Sequence, residues 1–193
     1  IVNLNLPPKL RKIFSNLKII ITVLVIIILA FSSFFQIGPE EVGVITRFGK
    51  FTRQVEPRLN VKIPFLEKVY KVPVERQQKL EFGFRTTRAG IRSEYTRAGT
   101  KDESLMLTGD LNLADVEWVV QFRIEDAYNF LFKVRNPETT LRDISEAAMR
   151  QVVGDRTVNE VLTVGRTEIA SKLEELMQSL CREYSLGIKI DQV

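Results

Sequence analysis

The segment GVITRFGKFT, which begins at Gly43, contains the residue types of a phosphate-binding loop. Such a loop places a glycine, four further residues and Gly-Lys-Ser/Thr between a strand and a helix. Here Gly43 lies one residue too far from Gly49, and Phe51 stands where a magnesium-binding hydroxyl would follow Lys50. The spacing argues against a nucleotide site. It favours a tight turn at Gly49 with positive φ, with Arg47 and Lys50 in solvent.

Residues for nucleophilic or metal chemistry are scarce. The chain has no histidine, which excludes Ser-His-Asp and Cys-His catalysis and the histidine-containing zinc sites from these 193 residues. The one cysteine, Cys181, cannot form an internal disulfide, and its helical apolar pattern predicts a buried thiol. Ser104 and Ser145 have no histidine base, although a Ser-Lys dyad stays open until their geometry is known.

Acidic residues occur in neighbouring pairs, but adjacent positions do not share a face of a helix or strand. We therefore expect three pairs to be solvated: Glu40-Glu41, Asp102-Glu103 and Glu174-Glu175. Surface ion pairs are expected among Asp143, Glu146, Arg142 and Arg150. The sequence thus predicts no catalytic, cofactor-binding or metal-binding residues, and no enzyme.

Residues 19–37, IIITVLVIIILAFSSFFQI, carry no charge. As a helix they would span roughly 28 Å, close to the thickness of a bilayer's hydrocarbon core. This length predicts an uncleaved transmembrane helix over 19–37. A cleaved signal peptide is the alternative, and the length of the apolar run weakens it.

The charge distribution predicts the orientation of this helix. Four basic residues and no acid precede it, whereas 24 basic and 24 acidic residues follow from position 38 onward. The positive-inside bias places a basic tail, 1–18, in the cytoplasm and the body, 38–193, on the extracytoplasmic side. Because that body is neutral overall, the basic pI argues poorly for nucleic-acid binding.

Periodicity predicts an α+β body in which strands come first and helices follow. Alternation predicts strands over 41–51, 59–65, 69–78 and 114–124, the last with Trp118 in the core, and the polar stretch 85–102 is predicted to be a loop. Helical spacing and capping patterns predict helices over 126–134, 136–154, from Thr157 onward and over 165–184, before a final strand over 187–193.

The order of several blocks resembles the SPFH or band 7 superfamily (stomatin, prohibitin, flotillin, HflK and HflC), and within it the bacterial HflK branch. The blocks are EEVGVITRFGKF, VEPRLNVKIPF, VPVERQQ, LTGDLNLADVEWVVQFRI, LRDISEAAMRQVVGDRTVNEVLTVGR and GIKIDQV. Two positions depart from the family pattern. Arg58 replaces the glycine of a Glu-Pro-Gly turn, and Asp110-Leu111-Asn112 replaces Asp-Glu-Asn.

The resemblance implies an SPFH domain on the outer face of a bacterial inner membrane, with a coiled-coil helix following Val193 and absent from this chain. It implies a non-enzymatic scaffold that pairs with an HflC-like subunit, forms a large oligomeric cage in a membrane microdomain and regulates the AAA protease FtsH. Phe34, Phe35 and the strand from Val42 would set how the domain sits on the bilayer. Two alternatives stay open: a stomatin-like membrane-organising or channel-modulating protein without a protease partner, and a serine hydrolase.

Overall fold

The computed structural model describes residues 8–88, 94–163 and 165–193. The chain forms two compact units, the N-terminal unit Ile1–Lys71 and the C-terminal unit Val72–Val193. Part of the predicted basic tail, residues 1–7, lies outside the described residues.

The chain's first helix, α1, spans Pro8–Ser33 and continues directly into strand β1, Phe34–Gln36. The prediction of a helix as far as Ile37 was therefore wrong at its C-terminal end. Strand pairing explains the difference, because β1 pairs antiparallel with β4 (Leu59–Val61) and the Lys62 amide donates to the Ser33 carbonyl at 2.8 Å. Within the described residues, no helix combines the length and apolarity needed to cross a bilayer. The predicted transmembrane helix is thus not confirmed.

A three-stranded sheet forms the rest of the N-terminal unit. Its central strand β2 (Glu41–Arg47) lies between β3 (Lys50–Val55) and β5 (Glu67–Pro73). The strand predicted over 41–51 ends at Arg47 and enters the expected turn, where Phe48 and Gly49 adopt φ values of 50° and 82° and reverse the chain into β3. The expected turn with positive φ at Gly49 is confirmed.

Arg58 forms its turn without positive φ, unlike the glycine it replaces. The Asn60 side chain donates to the carbonyls of Glu56 and Arg58, at 3.1 and 3.0 Å, and closes the turn. The Ile37 amide donates to the same Arg58 carbonyl at 3.2 Å. Side-chain hydrogen bonding therefore replaces the conformational freedom of glycine here.

The sheet of the C-terminal unit has the order β12-β11-β6 and is antiparallel throughout. Its strands are β6 (Gln78–Phe82), β11 (Trp118–Ile124) and β12 (Ile188–Gln192). Buried and half-buried residues alternate along β11, as predicted. The predicted strand over 114–124 is nevertheless interrupted, because Leu113–Asp115 forms a separate strand and β11 begins only at Trp118. Two hairpins accompany the sheet: β7 (Arg85–Arg88) with β8 (Glu94–Thr96), and β9 (Leu105–Leu107) with β10 (Leu113–Asp115). The prediction that 85–102 is a loop was wrong, since β7, β8 and the start of a short helix lie within it.

Five helices belong to the C-terminal unit in its described part: α2 (Lys101–Ser104), α3 (Ala127–Phe132), α4 (Pro137–Gly154), α5 (Val158–Leu162) and α6 (Arg166–Glu183). The predicted capping box at the start of α5 is confirmed, with Thr157 and Glu160 exchanging side-chain and backbone hydrogen bonds. Asn136 occupies the N-cap position of α4, but its side chain makes no capping bond.

Helices α4 and α6 cover the apolar core of this unit. Helical spacing predicts a buried stripe on α4, and its four residues are all buried: Leu141, Ile144, Ala148 and Val152. On α6 it predicts Ile169, Leu173, Leu176 and Leu180. The first two are buried, but Leu176 and Leu180 only pack against the edge of the core, and Met177 and Cys181 are buried instead. Trp118 is buried as predicted and stacks on Phe82, with ring centroids 4.5 Å apart. The arrangement of sheet, hairpins and helices confirms an α+β architecture.

Candidate functional site

The segment that resembles a phosphate-binding loop joins two strands, β2 and β3, and opens no helix. It therefore lacks the helix N-terminus that would bind phosphate. Lys50 is exposed, as predicted. Arg47 is not simply solvated, because its guanidinium binds Glu67 with an Nη2–Oε1 distance of 2.8 Å.

Glu67 is a fully buried carboxylate in the N-terminal unit, with a side-chain exposure of 0%. It accepts hydrogen bonds from the Ile63 amide at 2.9 Å, from Arg47 at 2.8 Å and from Arg53 at 3.2 Å. The Ile63 bond is the main reason that the pKa of Glu67 is lowered, and the two arginines lower it further against the opposing effect of burial. Glu67 therefore stays ionised and holds β2, β3 and the turn before β5 together.

The role of Glu67 was not predicted from the sequence, because the two arginines that bind it lie 14 and 20 residues away along the chain. One signal was present. Within 47–53 and 62–68, Glu67 is the single acid among five basic residues. An acid isolated in this way often serves as the shared partner of the surrounding cations.

Glu67 lies beneath a pair of turns that we call the double-turn tip, formed by Phe48-Gly49 and by Ile63–Leu66. The two turns are joined by a hydrogen bond from the Phe48 amide to the Leu66 carbonyl at 3.3 Å. Phe48 and Phe65 project from them with 83% and 92% of their surfaces exposed. Their φ values are positive, 50° and 64°, a conformation that is costly for any residue with a side chain.

A second charged cluster, in the C-terminal unit, corrects the prediction that Asp102-Glu103 is solvated. Glu103 accepts from the Gly83 amide at 3.3 Å and pairs with Arg85 at 2.5 Å and Arg142 at 3.6 Å. Burial raises the pKa of Glu103, but these bonds outweigh it and the pKa is lowered overall. The Arg142 guanidinium also lies 4.7 Å above the Phe82 ring. This network joins α2, α4 and the start of the β7–β8 hairpin, so its role is in packing.

The other predicted ion pairs are only partly formed. Arg150 pairs with Glu146 at 3.3 Å, one turn away on α4, which confirms a surface pair there. Asp102, Glu40 and Glu175 are exposed, as expected. Glu41 and Glu174 are instead half-buried, and the Glu41 carboxylate accepts from the Gly38 amide at 3.4 Å. The candidate acids are thus dispersed over both units and share no common pocket.

The candidate nucleophiles are inaccessible. Ser145 is fully buried and its hydroxyl oxygen accepts the indole N–H of Trp118 at 2.9 Å, while Ser104 is buried as the last residue of α2. Cys181 is buried as predicted, and burial raises its pKa to about 11. Over the described ranges, no cluster of three or more His, Cys, Asp or Glu side chains could hold a metal ion.

An open groove of about 1100 Å³ lies on the C-terminal unit. Trp118, Val161, Ile169 and Val193 line it, and the rim includes an ion pair of Arg97 with Glu117 at 2.5 Å. Its lining combines apolar side chains from β11, α5 and α6 and contains no candidate nucleophile. Apolar side chains of this kind are typical of the centres of protein interfaces.

A second apolar surface lies on the β9–β10 hairpin. Leu105, Leu107 and Leu113 point away from the core and are exposed, as is Leu111 in the connecting turn. Leu111 stands at the second position that departs from the family pattern, and its φ is positive, 62°. Neighbouring Asp110 accepts from the Thr108 hydroxyl at 2.6 Å and from the Val158 amide at 3.1 Å, so the acid fixes the turn against α5.

Comparison with known proteins identifies the family of this chain. The SPFH domain / Band 7 family matches residues 35–193. Protein HflK of Borreliella burgdorferi is 38% identical over 95% of this chain and 58% of its own length. Protein HflK of Treponema pallidum is 45% identical over 81% of this chain and 48% of its own length.

A third relative has a more explicit name. "Modulator of FtsH protease HflK" of Escherichia coli strain K12 is 36% identical over 86% of this chain and 35% of its own length. The chain therefore spans between about a third and three fifths of the length of these relatives. From the family match, which covers the β1 strand through β12, we conclude that the chain belongs to the SPFH domain / Band 7 family.

Proposed function

We propose that this protein is a non-enzymatic, membrane-anchored scaffold that pairs with an HflC-like subunit in a large oligomeric assembly and regulates the FtsH membrane protease. The observation that carries the proposal is the similarity to the Escherichia coli modulator of FtsH protease over 86% of the chain. The scaffold acts through the arrangement of its subunits. Neighbouring domains form a continuous barrier that controls which membrane proteins reach the protease.

The proposed anchor is the uncharged part of α1, residues 19–33, with the N-terminus in the cytoplasm and the SPFH domain outside the bacterial inner membrane. The large apolar side chains from Ile19 to Phe31 support this proposal, because they are exposed along α1. A continuous apolar surface of this kind is characteristic of contact with lipid or with another protein. The four basic residues before the segment support the orientation.

The proposed subunit contacts are the groove on the C-terminal unit and the leucine surface of the β9–β10 hairpin. Both expose apolar side chains that the described part of the chain leaves uncovered. Apolar, weakly charged patches are typical of the centres of permanent interfaces. An HflC-like partner, being built on the same domain, would meet these surfaces in a ring or cage of alternating subunits.

Co-purification tests the proposal. The full-length protein, its HflC-like partner and FtsH are expressed together, and the complex is isolated through a tag on this chain. We expect a large assembly that retains FtsH and slows its degradation of a membrane substrate. Recovery only as dispersed monomers that never retain FtsH would contradict the proposal.

Matched variants locate the subunit contact. Leu113 and Leu162 lie on the groove and are exposed, so Leu113→Asp with Leu162→Asp changes the surface without disturbing the core. We expect this pair to release the partner subunit. Lys172→Asp, on an exposed position of α6, is the control and should leave the assembly intact.

The stomatin-like alternative is tested by topology. Ser171 is exposed on α6, and Ser171→Cys supplies an accessible thiol, whereas buried Cys181 supplies the unreactive background. In intact cells, a membrane-impermeant maleimide should label Ser171→Cys if the domain is extracytoplasmic. Protection until the cells are lysed would favour the stomatin-like protein instead.

A further inference from the structure

We propose that the outer side of strand β6 binds an extended acidic segment of another protein, which adds to the sheet of the C-terminal unit as a further strand. We call this site the β6 edge. It consists of the outward-facing backbone of Lys79 and the side chains of Arg76, Arg85 and Arg142. The site is separate from the proposed anchor and from both proposed subunit contacts, and its role does not depend on the proposed regulation of FtsH.

The pairing of the sheet leaves β6 open on one side. Within the described chain β6 ends the sheet and pairs with β11. The Glu81 carbonyl faces away from β11, because it accepts from the guanidiniums of Arg85 at 2.7 Å and Arg142 at 3.1 Å. Residues two apart on an antiparallel strand turn their backbone groups to the same side. The Lys79 N–H and C=O therefore also face outward, where no strand of the described chain meets them.

The opposite edge of the same sheet is closed by a side chain. The Gln178 amide group accepts from the Ile190 N–H at 2.8 Å and donates to the Ile188 carbonyl at 3.4 Å. These two bonds reproduce those that a neighbouring strand would make with β12. Proteins commonly close the edges of their sheets in such ways, because an open edge is a template for another strand. At Lys79 the β6 edge lacks this protection.

Two concavities adjoin the open part of β6. Their volumes are about 330 and 470 Å³, and Lys79 lines both of them. The first lies towards Arg142 of α4, and the second towards Arg76 and Phe130. In strand addition the backbone bonds hold the ligand, while pockets beside the edge receive its side chains. The β6 edge has both of these features.

The charges of the two concavities indicate the class of ligand. Four cations line them, against two acids: Arg76, Lys79, Arg85 and Arg142, with Glu81 and Glu138. Lys79 and Arg85 already form ion pairs, with Glu81 and Glu103 respectively. Arg76 is exposed, and the ion pair of Arg142 with Glu103 is long, 3.6 Å. Guanidinium groups such as these bind carboxylates well, so the ligand that they fit is acidic.

The same charges restrict what can pair with this edge. A lysine on an edge strand opposes the addition of basic or apolar strands, which is a common protection against aggregation. An acidic strand instead gains an ion pair at that position. Lys79 therefore selects among extended segments and does not simply repel them.

Peptide binding tests the inference. The full chain, reconstituted in phosphatidylcholine nanodiscs, is titrated against a fluorescein-labelled peptide of about eight residues in which threonine and glutamate alternate. We expect a saturable rise in fluorescence anisotropy. Hydrogen exchange in the fragments that contain Lys79 should slow when the peptide is bound. The same peptide with lysine in place of glutamate should not bind.

A modified peptide separates strand addition from charge attraction alone. Methylation of the peptide nitrogens that face β6 removes backbone donors and keeps every charge. We expect this change to weaken binding by about tenfold. Because the protein itself is unaltered, this comparison does not depend on the folding of any variant.

Charge variants locate the site. Lys79→Glu and Arg76→Glu should each weaken binding by about fivefold. Lys189→Glu is the matched control, because Lys189 is exposed on β12, the closed edge of the same sheet, and its reversal should leave the affinity unchanged.

Three results would overturn the inference: no saturable binding of the acidic peptide, equal binding of the lysine peptide, or undiminished binding of the methylated peptide. Equal effects of the Lys79 and Lys189 variants would also refute it. Retention of FtsH is scored separately in the co-purification experiment, so failure of one result leaves the other standing.

Discussion

The indole N–H of Trp118 donates to the hydroxyl oxygen of Ser145 across 2.9 Å, and both residues are buried in the C-terminal unit. The bond joins the central strand β11 to helix α4. The Trp118 ring stacks on the Phe82 ring. The Arg142 guanidinium also lies over the Phe82 ring. A serine that could be mistaken for a nucleophile is thus the polar partner of a core tryptophan.

This bond predicts the effect of Ser145→Ala. The variant leaves the buried indole N–H without a partner and should lower the free energy of unfolding by about 1–3 kcal/mol. Urea denaturation followed by circular dichroism measures the change. Ser171→Ala, at an exposed site on α6, should stay within about 0.5 kcal/mol of the parent. Equal stability of both variants would show that the bond contributes nothing.

Glu67→Gln tests the buried carboxylate of the N-terminal unit. The amide keeps the volume but loses the charge that binds the Ile63 amide and two half-exposed arginines. We expect this unit to lose about 1–3 kcal/mol, because the NH2 group that replaces one carboxylate oxygen cannot accept and leaves either the Ile63 amide or an arginine opposite another donor. Solvent screening keeps the contribution of the arginines small. Hydrogen exchange of the amides in β2 and β3 measures the loss within this unit. Unchanged protection would contradict the proposed role of Glu67.

The pH dependence of Glu81 provides a third prediction. Burial raises the pKa of Glu81, but bonds from Lys79 and from the Thr86 hydroxyl and amide lower it to about 2, against an ordinary 4.5. A carboxyl with a lowered pKa stabilises the fold above its ordinary value, and this contribution disappears as pH falls from 4.5 towards 2.

The comparison with Glu81→Gln isolates this effect. At pH 7 the variant should be less stable than the parent, and the difference should shrink across that window. Because Glu67 and Glu103 also have lowered pKa values, only the difference between the two proteins is informative. A difference that stays constant between pH 6 and pH 2 would contradict the prediction.

Two glycines with similar φ values form a matched pair. At Gly187, φ is 68° and an added Cβ would lie 2.3 Å from the Asp126 carbonyl oxygen. At Gly99, φ is 76° and the space is open. Gly99→Ala should cost about 1–2 kcal/mol through backbone strain, and Gly187→Ala about 1–3 kcal/mol more through overpacking. Thermal denaturation measures both, and equal costs would refute the steric argument.

Leu111 predicts a gain in stability. Its positive φ of 62° and 79% exposure mean that the side chain strains the backbone without packing in the described chain. Leu111→Asn should stabilise the C-terminal unit by about 0.5–1 kcal/mol, because asparagine tolerates this conformation better. A loss of stability in denaturant titrations would show that the leucine contacts are worth more than the strain.

Local signals were sufficient for much of this fold. The alternation in β11, the apolar stripe of α4 and the capping box at Thr157 were all predicted correctly. Each of these depends on residues within a few positions of one another, where periodicity and capping chemistry operate. The family resemblance likewise depended on the order of local blocks.

Features built from distant residues were missed for the same reason. The β7–β8 hairpin is polar and has no apolar alternation, so its strands were assigned to a loop. The partners of Glu67 and Glu103 come from elements that only the folded chain brings together. The end of α1 was misplaced because Phe34–Gln36 is apolar enough to continue a helix, while pairing with β4 decides otherwise.

The junction between α1 and β1 has a mechanical consequence. Strand pairing starts at Phe34, the residue after the helix ends, and the Lys62 amide holds the Ser33 carbonyl. No linker residue therefore separates α1 from the sheet of β1 and β4. A tilt of α1 therefore moves β4 and the adjoining turn with it, because the helix is joined to this unit without a flexible linker.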